Sequence, residues 1–199
     1  MGSTRLYLEY ELIDGNGRLL RKGRRRANSF VGNIIALLWS LMTSKTSGGT
    51  YNIWASRSVI IDTGNVARPL NINTRANANT SEHLFGIRVG TGTTAVAIDQ
   101  YDLASPIVHG TAAGQLLYGI TTIETITRGA TEWLFRIIRT FSNLTDSTIT
   151  VNEVGLFLLS ENTGSVLYQF MLARDLILGL DIAPGATLTM RYVLSHSIS

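Results

Sequence analysis

The sequence predicts an all-β fold, mainly an antiparallel β-sandwich with the jelly roll as one way of arranging it, and one N-terminal α-helix. Three observations predict this. From residue 84 onward, short apolar blocks recur at close intervals. Turn residues separate them, at Arg128-Gly129, Asn143 to Asp146, Asn162-Thr163-Gly164 and Pro184-Gly185. No stretch of helical period lies between these blocks, so the strands should connect as hairpins or cross between two sheets. A chain of 199 residues can bury one sizeable core, and all-β domains of this length commonly stay single units. The expected organisation is one domain with a hairpin and basic arm at 1–27, an apolar helix at 28–44 and the sandwich body at 45–199.

Arg5 to Ile13 alternates, with Leu6, Leu8, Tyr10 and Leu12 on one face and Arg5, Tyr7, Glu9 and Glu11 on the other, the mark of a half-buried strand. Asp14-Gly15-Asn16-Gly17 tolerates positive φ and should turn the chain back through Arg18 to Lys22 as a hairpin. Six of the nine residues from Arg18 to Arg26 are basic: Arg18, Arg21, Lys22, Arg24, Arg25 and Arg26. This arm is read as partly strand and partly the exit from it. Asn28 or Ser29 can then cap a helix that places Phe30, Ile34, Leu37, Leu38 and Leu41 on one face. Val31, Ile35, Trp39 and Met42 widen the apolar surface, so only a stripe of Gly32, Asn33, Ala36, Ser40 and Thr43 is left for solvent. Such a helix should be buried or shared between subunits.

The segments 43–51 and 74–81 read as loops, with short strands at 58–62 and 66–72 between them. Further strands are expected at 84–89, 116–127, 133–141, 149–159, 165–173 and 187–194. In the last, Leu188, Met190, Tyr192 and Leu194 alternate against Thr187, Thr189 and Arg191.

Only 16% of residues are charged and 45% are apolar, so much of the surface must be Thr, Ser, Asn, Gly and apolar side chains of the kind that neighbouring proteins cover. The net charge of +3 hides a division. Residues 1–75 carry 11 basic and 4 acidic groups (+7), and residues 76–199 carry 6 and 10 (−4). A basic head on a mildly acidic body suits docking onto an acidic surface better than it suits a substrate pocket. The arm reads as a contact with another subunit, as a sequence-blind contact with nucleic acid phosphates, or as a solvated face; no aromatic is interleaved to stack on bases. The absence of cysteine rules out disulfides and thiolate metal sites. The first ten residues show no secretory signal, and the apolar stretch 30–42 is well short of the ~20 residues of a spanning helix, so no membrane partner is expected.

Candidate chemistry is sparse. Ile60-Ile61-Asp62-Thr63-Gly64 resembles the active-site loop of retroviral-type aspartic proteases over five residues, with a strand ending in a turn as the competing reading. Gly90-Thr91-Gly92-Thr93-Thr94 could cradle an anion but lacks the Gly-Lys-Ser/Thr ending of a P-loop. Asp99 and Asp102 match no calcium loop, and His83, His109 and His196 are scattered. Asn79-Thr80-Ser81 and Asn143-Leu144-Thr145 are glycosylation sequons, relevant only to a secreted eukaryotic protein. Trp54 is the one loop-placed aromatic that could serve a carbohydrate-binding sandwich. No catalytic, cofactor-binding or metal-binding residue is assigned.

Three stretches carry a family resemblance. They are Ser29-Phe30-Val31-Gly32-Asn33-Ile34; Ile87-Arg88-Val89-Gly90-Thr91-Gly92-Thr93-Thr94-Ala95-Val96 running on to Asp99-Gln100-Tyr101-Asp102-Leu103; and a set of strings near the C-terminus. The last comprises Arg139-Thr140-Phe141-Ser142-Asn143-Leu144, Ile149 to Leu156, Leu172-Ala173-Arg174-Asp175 and Pro184 to Tyr192. With these strings the chain resembles virion structural proteins of tailed bacteriophages. The resemblance implies a non-enzymatic particle component made in the host cytoplasm, an auxiliary or decorating capsid protein or else a neck or tail protein. Its implied partners are other virion proteins and copies of itself.

Overall fold

The structure, a computed structural model, describes residues 3–27, 30–37, 45–47, 50–52, 60–68, 74–161 and 166–198. Among the described residues fourteen strands run in order: β1 (Ser3–Ile13), β2 (Leu19–Ala27), β3 (Lys45–Ser47), β4 (Thr50–Asn52), β5 (Ile60–Ile61), β6 (Ala67–Arg68), β7 (Gly86–Gly90), β8 (Leu117–Tyr118), β9 (Thr122–Ile123), β10 (Thr127–Arg128), β11 (Glu132–Ser142), β12 (Ile149–Glu161), β13 (Leu167–Ile182) and β14 (Thr187–Ser197). The larger sheet has the order β10-β11-β14-β1-β2, with β8 and β9 also on β11; the smaller is β13-β12-β7. All named pairings are antiparallel. The chain crosses between the two sheets from β11 to β12 and again from β13 to β14. A jelly roll pairs two four-stranded halves, whereas the described residues give the smaller sheet three strands.

The inner faces of the sheets meet in one core. Leu6, Leu8 and Leu12 of β1, Ile137 and Phe141 of β11, and Leu188, Met190 and Tyr192 of β14 pack with Ile87, Val89, Val151, Val154, Leu156, Leu172, Leu180 and Ile182 from the other sheet. Each such side chain contributes about 1.5–3 kcal/mol by burial. The N-terminal hairpin is no appendage: β1 pairs with β14 over its full length, from Ser3 with Ser197 to Ile13 with Thr187. A second cluster joins Phe157, Leu159 and Met171 of the smaller sheet to Val31, Ala78, Phe85 and Leu103. The loops around 31, 76–85 and 91–106 therefore cover this sheet. That is why Glu153 to Phe157 are buried without interruption, against the alternation of a one-faced strand.

The expected helix is corrected in part. Phe30 forms an antiparallel bridge with Ala173 rather than a helical turn, and helix begins only at Asn33, running to Leu37. Ile34 and Leu37 lie against the main core as expected, together with Phe30. The solvent stripe is misassigned: Asn33 is buried and Ile35 is 67% exposed. Leu38 and Leu41, like Trp54, lie outside the described residues. Among the described residues no helix is long and apolar enough to cross a membrane.

Candidate functional site

From Leu19 on, the basic arm is the strand β2, with Arg18 in the turn just before it, and among the described strands β2 is the last of its sheet. Asp14 turns the chain into it: its carboxylate accepts from the amides of Arg18 (2.9 Å) and Asn16 (3.0 Å). Those bonds, the Arg18 amide first, and then the Arg18 guanidinium hold Asp14 below the ordinary carboxylate range. The register sorts the remaining cations. Arg21, Gly23, Arg25 and Ala27 pair with Leu12, Tyr10, Leu8 and Leu6, so they share the inner face; Lys22, Arg24 and Arg26 pair with Glu11, Glu9 and Tyr7 on the outer face.

Each arginine with a neighbour uses it. Arg25 reaches across the sandwich to the buried Asp175 of β13 at 3.6 Å, and Arg21 donates to the Gly179 carbonyl at 3.2 Å. The two inward cations thus close the gap between the two sheets beneath β2. Arg24 lies over the Tyr7 ring at 4.2 Å and pairs with Glu9 at 3.2 Å. Arg18, with Asp14 at 3.4 Å, is highly exposed, and such a pair contributes about 0.2–1 kcal/mol at most. Among the described residues Lys22 and Arg26 form no ion pair. Gly23 sits opposite Tyr10, whose ring occupies the space a side chain there would need, at 2.6 Å. A groove of about 430 Å³ runs along this outer face, lined by Glu9, Glu11, Lys22, Arg24 and Arg191.

The apparent anion loop is filled by the protein's own anion. Glu153 of β12 is fully buried, and its carboxylate accepts from the amides of Gly92 (3.1 Å), Ala104 (3.1 Å) and Ser105 (2.8 Å) and from Arg174 Nε (2.7 Å). A side chain at Gly90 or Gly92 would collide with Glu153, so glycine there serves close approach. Arg174 in turn donates to Gln100 at 3.0 Å. One buried ion pair thereby fixes both ends of the loop 91–105. Asp102, considered above for calcium, binds Arg88 at 2.9 Å, and Arg88 lies over Phe157 at 4.3 Å.

Arg139 is fully buried like Arg174, but it faces carbonyls rather than a carboxylate. Its five N–H groups serve Gly119 (2.8 Å), Phe85 (2.9 Å), Ile87 (3.1 Å), Asn79 (3.2 Å) and Glu82. The Tyr118 ring stacks on it at 4.8 Å. Desolvation pulls the guanidinium down to about 10, which leaves it charged at neutral pH, and pushes Tyr118 up to about 12. Tyr118 donates to the Ile107 carbonyl at 2.6 Å.

The remaining candidates also hold the backbone in place. Asp62 caps its own turn, accepting from the amides of Gly64 and Val66 at 2.9 Å each and pairing with Arg68 at 2.9 Å. Both carboxylate oxygens are committed within the β5–β6 hairpin. Asn143 is fully buried, and its side-chain nitrogen donates to Ser147 (2.8 Å) and Ile182 (2.7 Å), so the sequon at Asn143 offers no acceptor for a glycan. His83 and His109 both flank Tyr118 while His196 bonds Thr4, and among the described residues no cluster of His, Asp or Glu could hold a metal ion. The chain matches no family model, no curated protein and no solved structure.

Asn33, read from sequence as solvent-facing, is a clip. Its amide nitrogen donates to Ile61 (2.8 Å) and Met171 (3.0 Å), and its oxygen accepts from the Ile61 amide (2.9 Å). Asn33→Ala should therefore lower unfolding stability by about 1–3 kcal/mol, read by denaturant titration. An unchanged midpoint would show that these bonds contribute nothing net. Sequence reading also passed over Arg139, Glu153 and Arg174. The available signal was a charge on the inner face of a strand, since Arg139 lies in phase with Ile137 and Phe141.

Proposed function

We propose that this chain is a non-enzymatic structural protein of a phage particle, an auxiliary or decorating capsid component, with a neck or tail position as the alternative. The observation that carries the reading is the way the charges divide. Glu153, Arg174, Arg139, Asp62 and Arg88 are committed to holding loops and turns on the sandwich, while the cations of β2 lie on an exposed strand that among the described strands pairs on one side only. A rigid body with a basic edge suits repeated, individually weak contacts to neighbouring subunits. The phage-like strings fall on these same structural positions: Gly90 to Gly92 at the Glu153 carboxylate, Arg174 in the ion pair and Asn143 in its clip.

Peptide mass mapping of purified particles tests the reading. The protein should be present in many copies per particle and resist removal by washing at low salt. Its absence from purified particles, or peptide hydrolysis by the pure protein that is lost in Asp62→Asn, would overturn the proposal.

A further inference from the structure

We infer that the open edge of β2 takes up an extended acidic segment of another protein as an added strand. The inference rests on the reading of the chain as an assembly component and specifies what its basic edge binds. β2 spans nine residues and among the described strands pairs with β1 alone, so its outer rim presents free backbone donors and acceptors. Arg21 and Arg25, which would otherwise obstruct the rim from within, are drawn down onto β13. On the outer face Lys22, Arg24 and Arg26 recur at every second residue, the side-chain period of a strand. A segment laid along this edge would set every second side chain beside that row, so acids at alternate positions satisfy the charges and the backbone ladder together.

The occupant is a different chain. A second copy of β2 would oppose cation to cation, which is destabilising. The described strand of this protein with acids at alternate positions is β1, through Glu9 and Glu11, and it is already paired on both edges by β14 and β2.

The test uses a labelled nonapeptide alternating Glu with Thr, followed by fluorescence anisotropy with the full chain. Two further peptides carry N-methyl groups on alternate residues, one along each edge, which leaves their charge intact. The unmodified peptide and one N-methylated form should bind, and the other form should bind at least about tenfold more weakly, because only one peptide edge faces the ladder. Lys22→Glu with Arg26→Glu should weaken binding about tenfold or more, whereas Arg128→Glu on the far strand β10 should not. Equal affinity for all three peptides would leave a diffuse cationic face and overturn the inference, as would failure of the unmodified peptide to bind. Tighter binding of duplex DNA than of any peptide, lost in the Lys22/Arg26 variant, would also overturn it in favour of the genome. The protein's presence in purified particles is an independent measurement, so either proposal can fail alone.

Discussion

Replacing Arg139 by Met should destabilise the fold by about 3–5 kcal/mol, near the upper end for a single substitution. The loss comes less from the charge than from what remains: the carbonyls of Asn79, Glu82, Phe85, Ile87 and Gly119 would face an apolar side chain with no donor in reach. Arg139→Lys keeps the charge with three donors in place of five and should fall in between. The sign of the linkage supplies a control. Burial lowers Arg139 to about 10, well below the ordinary guanidinium range, so the unfolded chain holds this proton more tightly than the native state does. The desolvation penalty is fully present below the native value and is relieved as pH rises through it; Tyr118, raised to about 12, acts in the opposite sense above its unfolded value of 10. Neither group titrates below about pH 9, so the Arg139→Met deficit should be constant from pH 6 to 8. A deficit below about 1 kcal/mol would mean that water or a rearranged loop satisfies the carbonyls.

Glu153→Ala should produce a loss of similar size with a different local signature. It leaves Arg174 buried without its partner and removes the acceptor shared by Gly92, Ala104 and Ser105, so about 3–5 kcal/mol is expected. Hydrogen exchange at those three amides should accelerate before exchange in β1 and β14 does. Combining Glu153→Leu with Arg174→Met should recover part of the deficit, because replacing a whole buried pair is far milder than breaking it. Unchanged exchange at the three amides would remove Glu153 as the anchor of the loop.

How much of this was legible follows from which faces are buried. β1 and β14 each have one face in the core and one in solvent, so their alternation located them closely. The apolar block that predicts a strand over 165–173 marks only the first part of β13, which continues to Ile182 with Arg174 and Asp175 buried and paired. The single strand expected over 116–127 is instead β8, β9 and the start of β10, each two residues long. Between the first two, Gly119 packs against Thr140, a close approach with no trace in a hydropathy pattern. β2 left little signature of its own, since an edge strand with seven of its nine residues exposed has no apolar period to show. Its cations were visible at once, but their division into the inward Arg21 and Arg25 and the outward row of Lys22, Arg24 and Arg26 depended on the register with β1. Asn33 was hidden for a related reason: a helical projection begun at Phe30 assigns the wrong face when Phe30 is in a β-bridge.

The central claim is that the outer rim of β2 faces a neighbouring chain in a particle, and the sequence supplies its own reporter. Lysine occurs only at positions 22 and 45. Zero-length carbodiimide coupling of intact particles, followed by peptide mass spectrometry, joins Lys22 to whatever carboxylate it touches. Glu11, directly opposite Lys22 on β1, provides an internal product in any state of assembly. The account predicts a second product that links Lys22 to an acidic residue of a different protein and disappears when particles are dissociated first. Recovery of the Lys22–Glu11 product alone, from particles that contain the protein, would contradict it.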